Sequence, residues 1–220
     1  MKMVKLAIAV AAVLGSSAAF AQQAEGNFMM RVRAVDVQWN NQSSDVRGNL
    51  GLKDNVVVDN KVIPEIDFTY FFTKNIAAEL ILTYPQKFDV KAKSGALGTG
   101  GFSAGTFKGL PPTLTLQYHF APEATFRPYV GAGINYTLIS DVKLTGLNNT
   151  AGTGGSDLSR SSTGGALQVG FDYKVGPNSY VNLDIKKVYM SADLSVSGLG
   201  KVSKLTLDPL LVGVGYGFKF

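Results

Sequence analysis

The chain has no cysteine and only one histidine, His119, and one tryptophan, Trp39, in 220 residues. Without thiols there are no disulfides and no thiolate metal sites, so a domain exported to an oxidising compartment has to hold together by packing and hydrogen bonds alone. A lone histidine argues against a histidine-rich metal centre, and the sequence calls for no cofactor. Charge of one sign is scarce as well. The formal +5 includes Lys2 and Lys5 of an N-terminal leader, leaving +3 for the remainder, too mild a balance to argue for a nucleic-acid partner. Beyond the leader no apolar run reaches the ~20 residues that a membrane-crossing helix needs.

The leader has three parts. Lys2 and Lys5 precede the apolar run Leu6 to Leu14, and small residues then lead to Ala19-Phe20-Ala21. A positive start, a short apolar run and an A-x-A site make a secretory signal peptide, expected over 1–21 with cleavage after Ala21. Residues 22–220 are then one domain.

What is abundant is glycine, with 25 residues, and aromatic side chains, placed in segments that alternate with period two. Eight such segments can be counted, beginning near Gly26, Ile63, Asn75, Leu110, Arg127, Gly165, Val181 and Leu210. In the first, Phe28, Met30, Val32 and Ala34 share one face while Met29, Arg31 and Arg33 share the other. One face is apolar throughout, with aromatics towards its ends; the other is small, polar or charged. Apolar-out, polar-in strands of ~10 residues in even number predict an all-β, eight-stranded antiparallel transmembrane β-barrel. A water-soluble barrel would show the reverse. The phase is lost at Lys186-Lys187, where a bulge or the membrane interface is expected.

Connections alternate in length. Long ones fall at about residues 40–62, 88–109 and 141–163, with a moderate one at about 195–203; short turns fall at 73–75, 121–125 and 175–178. Long loops outside and short periplasmic turns are the outer-membrane pattern, with both termini periplasmic. The surroundings expected are outer-membrane lipid and lipopolysaccharide.

Several stretches, in this order, resemble the outer membrane protein W (OmpW) family over essentially the whole length after the leader. They are IAAELILTYP from Ile76, LPPTLTLQYHF from Leu110, RPYVGAGINY from Arg127, VGFDY from Val169, and Leu207-Asp208-Pro209 with the ending Gly-Tyr-Gly-Phe-Lys-Phe. The resemblance implies an eight-stranded barrel in a Gram-negative outer membrane, with a narrow, largely hydrophobic channel for small apolar molecules. Tyr216, Phe218 and Phe220 resemble the signal read by the outer-membrane assembly machinery.

Three candidate features follow. The polar face carries Arg31, Arg33, Glu65, Asp67, Glu79, Arg127, Asp172, Lys174, Asp184 and Lys219. In a narrow lumen these have to pair, which predicts an ion-paired plug in the periplasmic half; a reading in which they merely consolidate a solid barrel stands beside it. Trp39, Ile63 and Ile81, with loop residues such as Leu97, Phe102 and Phe107, are expected to line an apolar extracellular vestibule, or else to pack loops against one another. Pro64, Pro85, Pro111 and Pro112 sit at outer strand ends, where missing N–H groups interrupt a ladder. They mark either a lateral opening or simple strand termination. His119, near the periplasmic end of its strand, is badly placed for outer-leaflet catalysis, so no enzyme is expected. A structural or receptor-type barrel whose loops bind a partner is the alternative to transport.

Overall fold

The computed structural model describes residues 26–46, 50–151 and 155–220; the expected leader, 1–21, lies outside them. Among the described residues fifteen strands run in chain order: β1 (Phe28–Gln38), β2 (Gln42–Ser43), β3 (Val56–Val58), β4 (Lys61–Phe71), β5 (Ile76–Leu82), β6 (Gln86–Ala92), β7 (Phe102–Leu110), β8 (Thr113–His119), β9 (Phe126–Lys143), β10 (Ser156–Leu158), β11 (Ser161–Lys174), β12 (Ser179–Val188), β13 (Ser191–Val196), β14 (Gly200–Thr206) and β15 (Leu210–Lys219). Helix α1 (Thr145–Ala151) follows β9.

Eight of these close a ring: β1, β4, β5, β8, β9, β11, β12 and β15 pair as antiparallel neighbours in that order. β15 returns to β1 over Met29↔Lys219 through Gln38↔Leu210. Closure gives the backbone N–H and C=O groups of the paired strands the partners that lipid cannot supply. No helix among the described residues is long and apolar enough to cross a membrane; the strands do so. Alternation decides which face meets lipid. On β1, Met29, Arg31, Arg33, Val35 and Val37 are buried inside, and on β9 the exposed Val130, Ile134, Tyr136 and Leu138 face out. Aromatics gather at the rim of short turns, where Phe28 meets Tyr70 edge-on at 6.0 Å and Tyr118 meets Phe120 at 5.0 Å.

Strand seven departs from expectation. β12 pairs without a shift on both sides, so there is no bulge at Lys186-Lys187. Lys186 simply continues the inward face and is 1 % exposed. Lys187 faces outward near the extracellular end, and its Nζ donates to the carbonyl of Asp208 at 2.5 Å. A long aliphatic stem lets a lysine lie on the apolar wall while its head finds a polar partner, so the charge does not break the strand.

The long connections are not open loops. β6 and β7 form a hairpin whose second strand pairs with the top of β9, Lys108↔Ser140 to Leu110↔Leu138. β10, β13, β14 and β2 form a second, four-stranded sheet. Together with α1 they fold into an extracellular cap with its own core, including Leu52, Val56, Val90, Leu144, Leu147, Leu158, Leu194 and Leu205. Register shifts at Val90/Lys91, Thr106/Lys108 and Leu194/Ser195 break the alternation of β7, β9 and β14, whereas β6 and β13 alternate throughout.

Candidate functional site

The lumen has two tiers. In the lower one, Arg31 is fully buried: Nε donates to Asp172 Oδ1 at 3.0 Å, Nη2 to Asp172 Oδ2 at 2.6 Å, and Nη1 to Glu79 Oε2 and Thr69 Oγ1, each at 2.6 Å. Arg33, one inward position higher, lies 2.6 Å from Asp67 Oδ2 and 3.2 Å from Glu65 Oε1, and its Nε donates to Asn182 Oδ1 at 2.7 Å. The Asp67 contact is ionic rather than an aligned hydrogen bond, since neither Asp67 oxygen has a well-directed donor among the described residues. Gln168 Nε2 donates to both Glu79 (2.8 Å) and Asp184 (2.7 Å), and the Tyr129 hydroxyl donates to Asp184 at 2.8 Å. Lys186 sits on top, 3.3 Å and 3.4 Å from the two Glu65 oxygens and 3.6 Å from Asp184.

Glycine makes this cluster possible. A Cβ on Gly215 would lie 2.6 Å from Arg33 Cγ and 2.4 Å from the Val32 carbonyl, and one on Gly217 would lie 3.1 Å from Arg31 Cγ. The inward face of β15 is bare so that two guanidinium stems can cross the lumen.

Seven of the ten charges expected in a plug therefore meet in one network: Arg31, Arg33, Glu65, Asp67, Glu79, Asp172 and Asp184. The other three lie nearer the periplasmic rim. Arg127 Nη1 donates to the Tyr180 hydroxyl at 2.8 Å, Lys219 Nζ lies 4.2 Å from the centre of the Phe71 ring, and Lys174 is half-buried at the end of β11. Lys186, Gln168, Tyr129 and Asn182 are members that a search for charges on regular segments misses. Lys186 was within reach, because it lies two residues beyond Asp184 on the same face. His119 is held between the rings of Phe71 (4.9 Å) and Tyr129 (5.0 Å), with Nε2 2.9 Å from Gln117 Oε1. It packs the lumen instead of facing an outer-leaflet substrate.

Above the network lies an apolar cavity of about 40 Å³, walled by Val37, Trp39, Ile63, Ile81, Phe88, Phe107, Val188 and Met190 and floored by Glu65 and Lys186. Trp39 meets Phe88 edge-on at 5.0 Å, and Phe88 meets Phe107 at 5.5 Å. Of the residues expected in a vestibule, Trp39, Ile63, Ile81 and Phe107 border this space, whereas Leu97 and Phe102 pack against the cap core above it. Pro111 also borders the space, as does Leu82, whose side chain belongs to the lipid face of β5.

The wall beside Leu82 is discontinuous. The β4–β5 ladder stops at Ile66↔Leu82, although β4 stays paired to β1 as far as Lys61. Pro64 lies in this one-sided stretch, and its carbonyl accepts from Thr83 Oγ1 at 2.7 Å. Contact resumes only above, where Asp59 N donates to Asp89 O at 3.1 Å and Lys61 Nζ to Lys87 O at 3.0 Å. Pro85 lies two residues beyond Thr83, after Tyr84. Pro111 and Pro112 differ, since their carbonyls are tied to β9 by Asn135 Nδ2 at 3.4 and 3.2 Å and by Tyr136 N at 3.1 Å. The unpaired edge is therefore at Pro64 and Thr83.

Comparison with known proteins matches residues 24–220 to the model of the OmpW family. Outer membrane protein W of Vibrio cholerae is 33 % identical over the full length of both chains. The dibenzothiophene metabolism operon protein PahQ of Pseudomonas aeruginosa is 31 % identical over 70 % of this chain and 69 % of its own. Among solved structures, the outer membrane protein OprG of Pseudomonas aeruginosa superposes with a TM-score of 0.77 at 27 % identity, covering 91 % of this chain and 99 % of that one.

Proposed function

The chain belongs to the OmpW family of outer-membrane barrels, and from that premise we propose that it is a passive channel giving small apolar molecules entry from the outer leaflet side, with a lateral exit into the membrane. One observation carries the reading: an apolar cavity rests on a sealed, ion-paired lumen and borders the wall at Leu82 and Thr83, beside the unpaired edge of β4. A solute going straight down would have to part a buried network of charges, and each charge left uncompensated is costly. Sideways, it gains roughly 0.8 kcal/mol for every CH₂ that enters hydrocarbon. A cavity of about 40 Å³ has room for little more than a few waters, so passage requires the edge at Pro64 to move away from Thr83. PahQ, a relative named for the metabolism of dibenzothiophene, an apolar aromatic, supports the same solute class. The aromatic ending, with Phe218 and Phe220 stacked at 6.2 Å beside the closing β1–β15 seam, is the surface we assign to the assembly machinery.

Uptake tests this reading. Cells lacking the protein and cells expressing it are given labelled alkane or simple aromatic, with polar solutes of similar size as controls. Faster entry of the apolar set alone is expected, abolished by Ile81→Arg. No difference for either set, with the barrel shown to be folded, would leave a structural or receptor-type barrel presenting its folded cap to a partner.

A further inference from the structure

The cavity walls are apolar, and the carboxylate that reaches the space, Glu65, is already engaged by Arg33 and Lys186. The three threonines around it spend their protons on the protein: Thr83 Oγ1 donates to Pro64 O at 2.7 Å, Thr113 Oγ1 to Pro111 O at 3.2 Å and Thr137 Oγ1 to Asn135 Oδ1 at 2.7 Å. Two donors remain under-used. Lys186 carries three N–H protons in the floor, yet its acceptors stand at 3.3, 3.4 and 3.6 Å, where a charge-assisted N–H···O bond usually measures ~2.7–2.9 Å. The indole Nε1–H of Trp39, a group that can only donate, is buried with no acceptor among the described residues. The two sit close together on the lumen wall. Val37 pairs with Leu211, Leu211 pairs with Lys186, and Trp39 is the next inward position beyond Val37, about 7 Å further out.

We propose that this cavity selects apolar molecules bearing a neutral carbonyl oxygen, which accepts from Trp39 on entry and from Lys186 at the floor. This rests on the channel reading above and names its solute class. A plain alkane fills the walls but leaves the Trp39 N–H without an acceptor and Lys186 with only its long bonds to Glu65, and an unmade hydrogen bond in an apolar site is costly. A carboxylate would meet the floor's own acids, Glu65, Asp67 and Asp184, which outnumber Lys186 and Arg33 there. An amine brings another donor to a site already short of acceptors, because Glu65 is engaged by both Arg33 and Lys186. A ketone or ester carries the complementary group and no charge.

The test uses the full barrel in lipid vesicles with four nine-carbon probes: 2-nonanone, nonane, nonanoate and nonylamine. Protein-free vesicles set the partition baseline. Trp39 is the chain's single tryptophan, so its emission reports occupancy. Binding of 2-nonanone is expected to exceed that of nonane by about tenfold, equivalent to about 1.4 kcal/mol, with a carbonyl stretch shifted to lower frequency than in bare vesicles. Lys186→Met should bring the ketone-to-nonane ratio close to one and remove the shifted band. As that variant strands Glu65, Glu65→Gln/Lys186→Met is measured in parallel, with folding checked by circular dichroism. Equal binding of ketone and nonane, a preference unchanged in the double variant, or tightest binding by nonanoate would each overturn the carbonyl assignment while leaving an apolar channel. If neither nonane nor ketone binds above baseline, the channel reading falls and this inference with it.

Discussion

Asp172 grips the Arg31 guanidinium with both carboxylate oxygens, at 3.0 and 2.6 Å, although the two residues are 141 positions apart in the chain. They face each other across the lumen because alternation turns both inward from different strands. A pair so placed is a clasp across the barrel.

Its removal should be felt at once. Asp172→Ala leaves Arg31 buried with Glu79 as its remaining ionic partner, and breaking one side of a buried pair typically costs about 3–5 kcal/mol. Urea unfolding in a lipid or detergent system is expected to show a loss of that order, and a loss near zero would mean that water enters the lumen and screens the pair.

Gly215→Val tests the space rather than the charge. The added side chain meets Arg33 Cγ and the Val32 carbonyl at distances real atoms do not adopt. Overpacking of this kind costs about 1–3 kcal/mol or more. The expected result is a lower unfolding midpoint and slower assembly, with Gly213 and Gly217 left unchanged as internal comparison.

The lateral exit can be locked. Because the chain has no cysteine, Pro64→Cys/Tyr84→Cys introduces the only thiols, both on the outward face and two steps beyond the last paired rung, Ile66↔Leu82, where an extended ladder would set them opposite each other as a disulfide needs. Oxidised protein should lose apolar uptake to background and regain it on reduction. Full uptake by the oxidised form would place the exit elsewhere.

At the periplasmic rim, Lys74 and Glu123 join two turns by an exposed ion pair. The bond holds Glu123 below, and Lys74 above, its ordinary titration range. For the carboxylate, a depressed folded value means the contribution is present above the unfolded value and fades as pH falls through the folded one. Site-resolved NMR should find Glu123 returning to the ordinary glutamate range in Lys74→Met, and high salt should shrink the shift in the wild type.

The barrel was legible because its cause is local. Eight polar-in, apolar-out segments determine which face meets lipid, and the aromatic-capped ends and short turns determine orientation, without reference to what any strand pairs with. The same alternation marked Arg31, Glu79 and Asp172 as lumen residues. Partner choice was not legible: Arg31 with Asp172, or Tyr129 with Asp184, depends on ring closure and on the height each strand reaches, which no window of sequence contains. Tertiary structure alone also decided the fate of the apolar loop residues. Leu52, Leu144 and Leu158 close a cap core, Ile81 borders the cavity, and Phe107 and Trp39 take part in both, because hairpins fold back over the barrel mouth. Of the four prolines marked at outer strand ends, Pro64 alone lies in a stretch of β4 that is paired on one side only, while the Pro111 and Pro112 carbonyls are bonded to β9. A missing N–H weakens any ladder, but only between β4 and the segment after β5 does no neighbouring strand replace the lost partner.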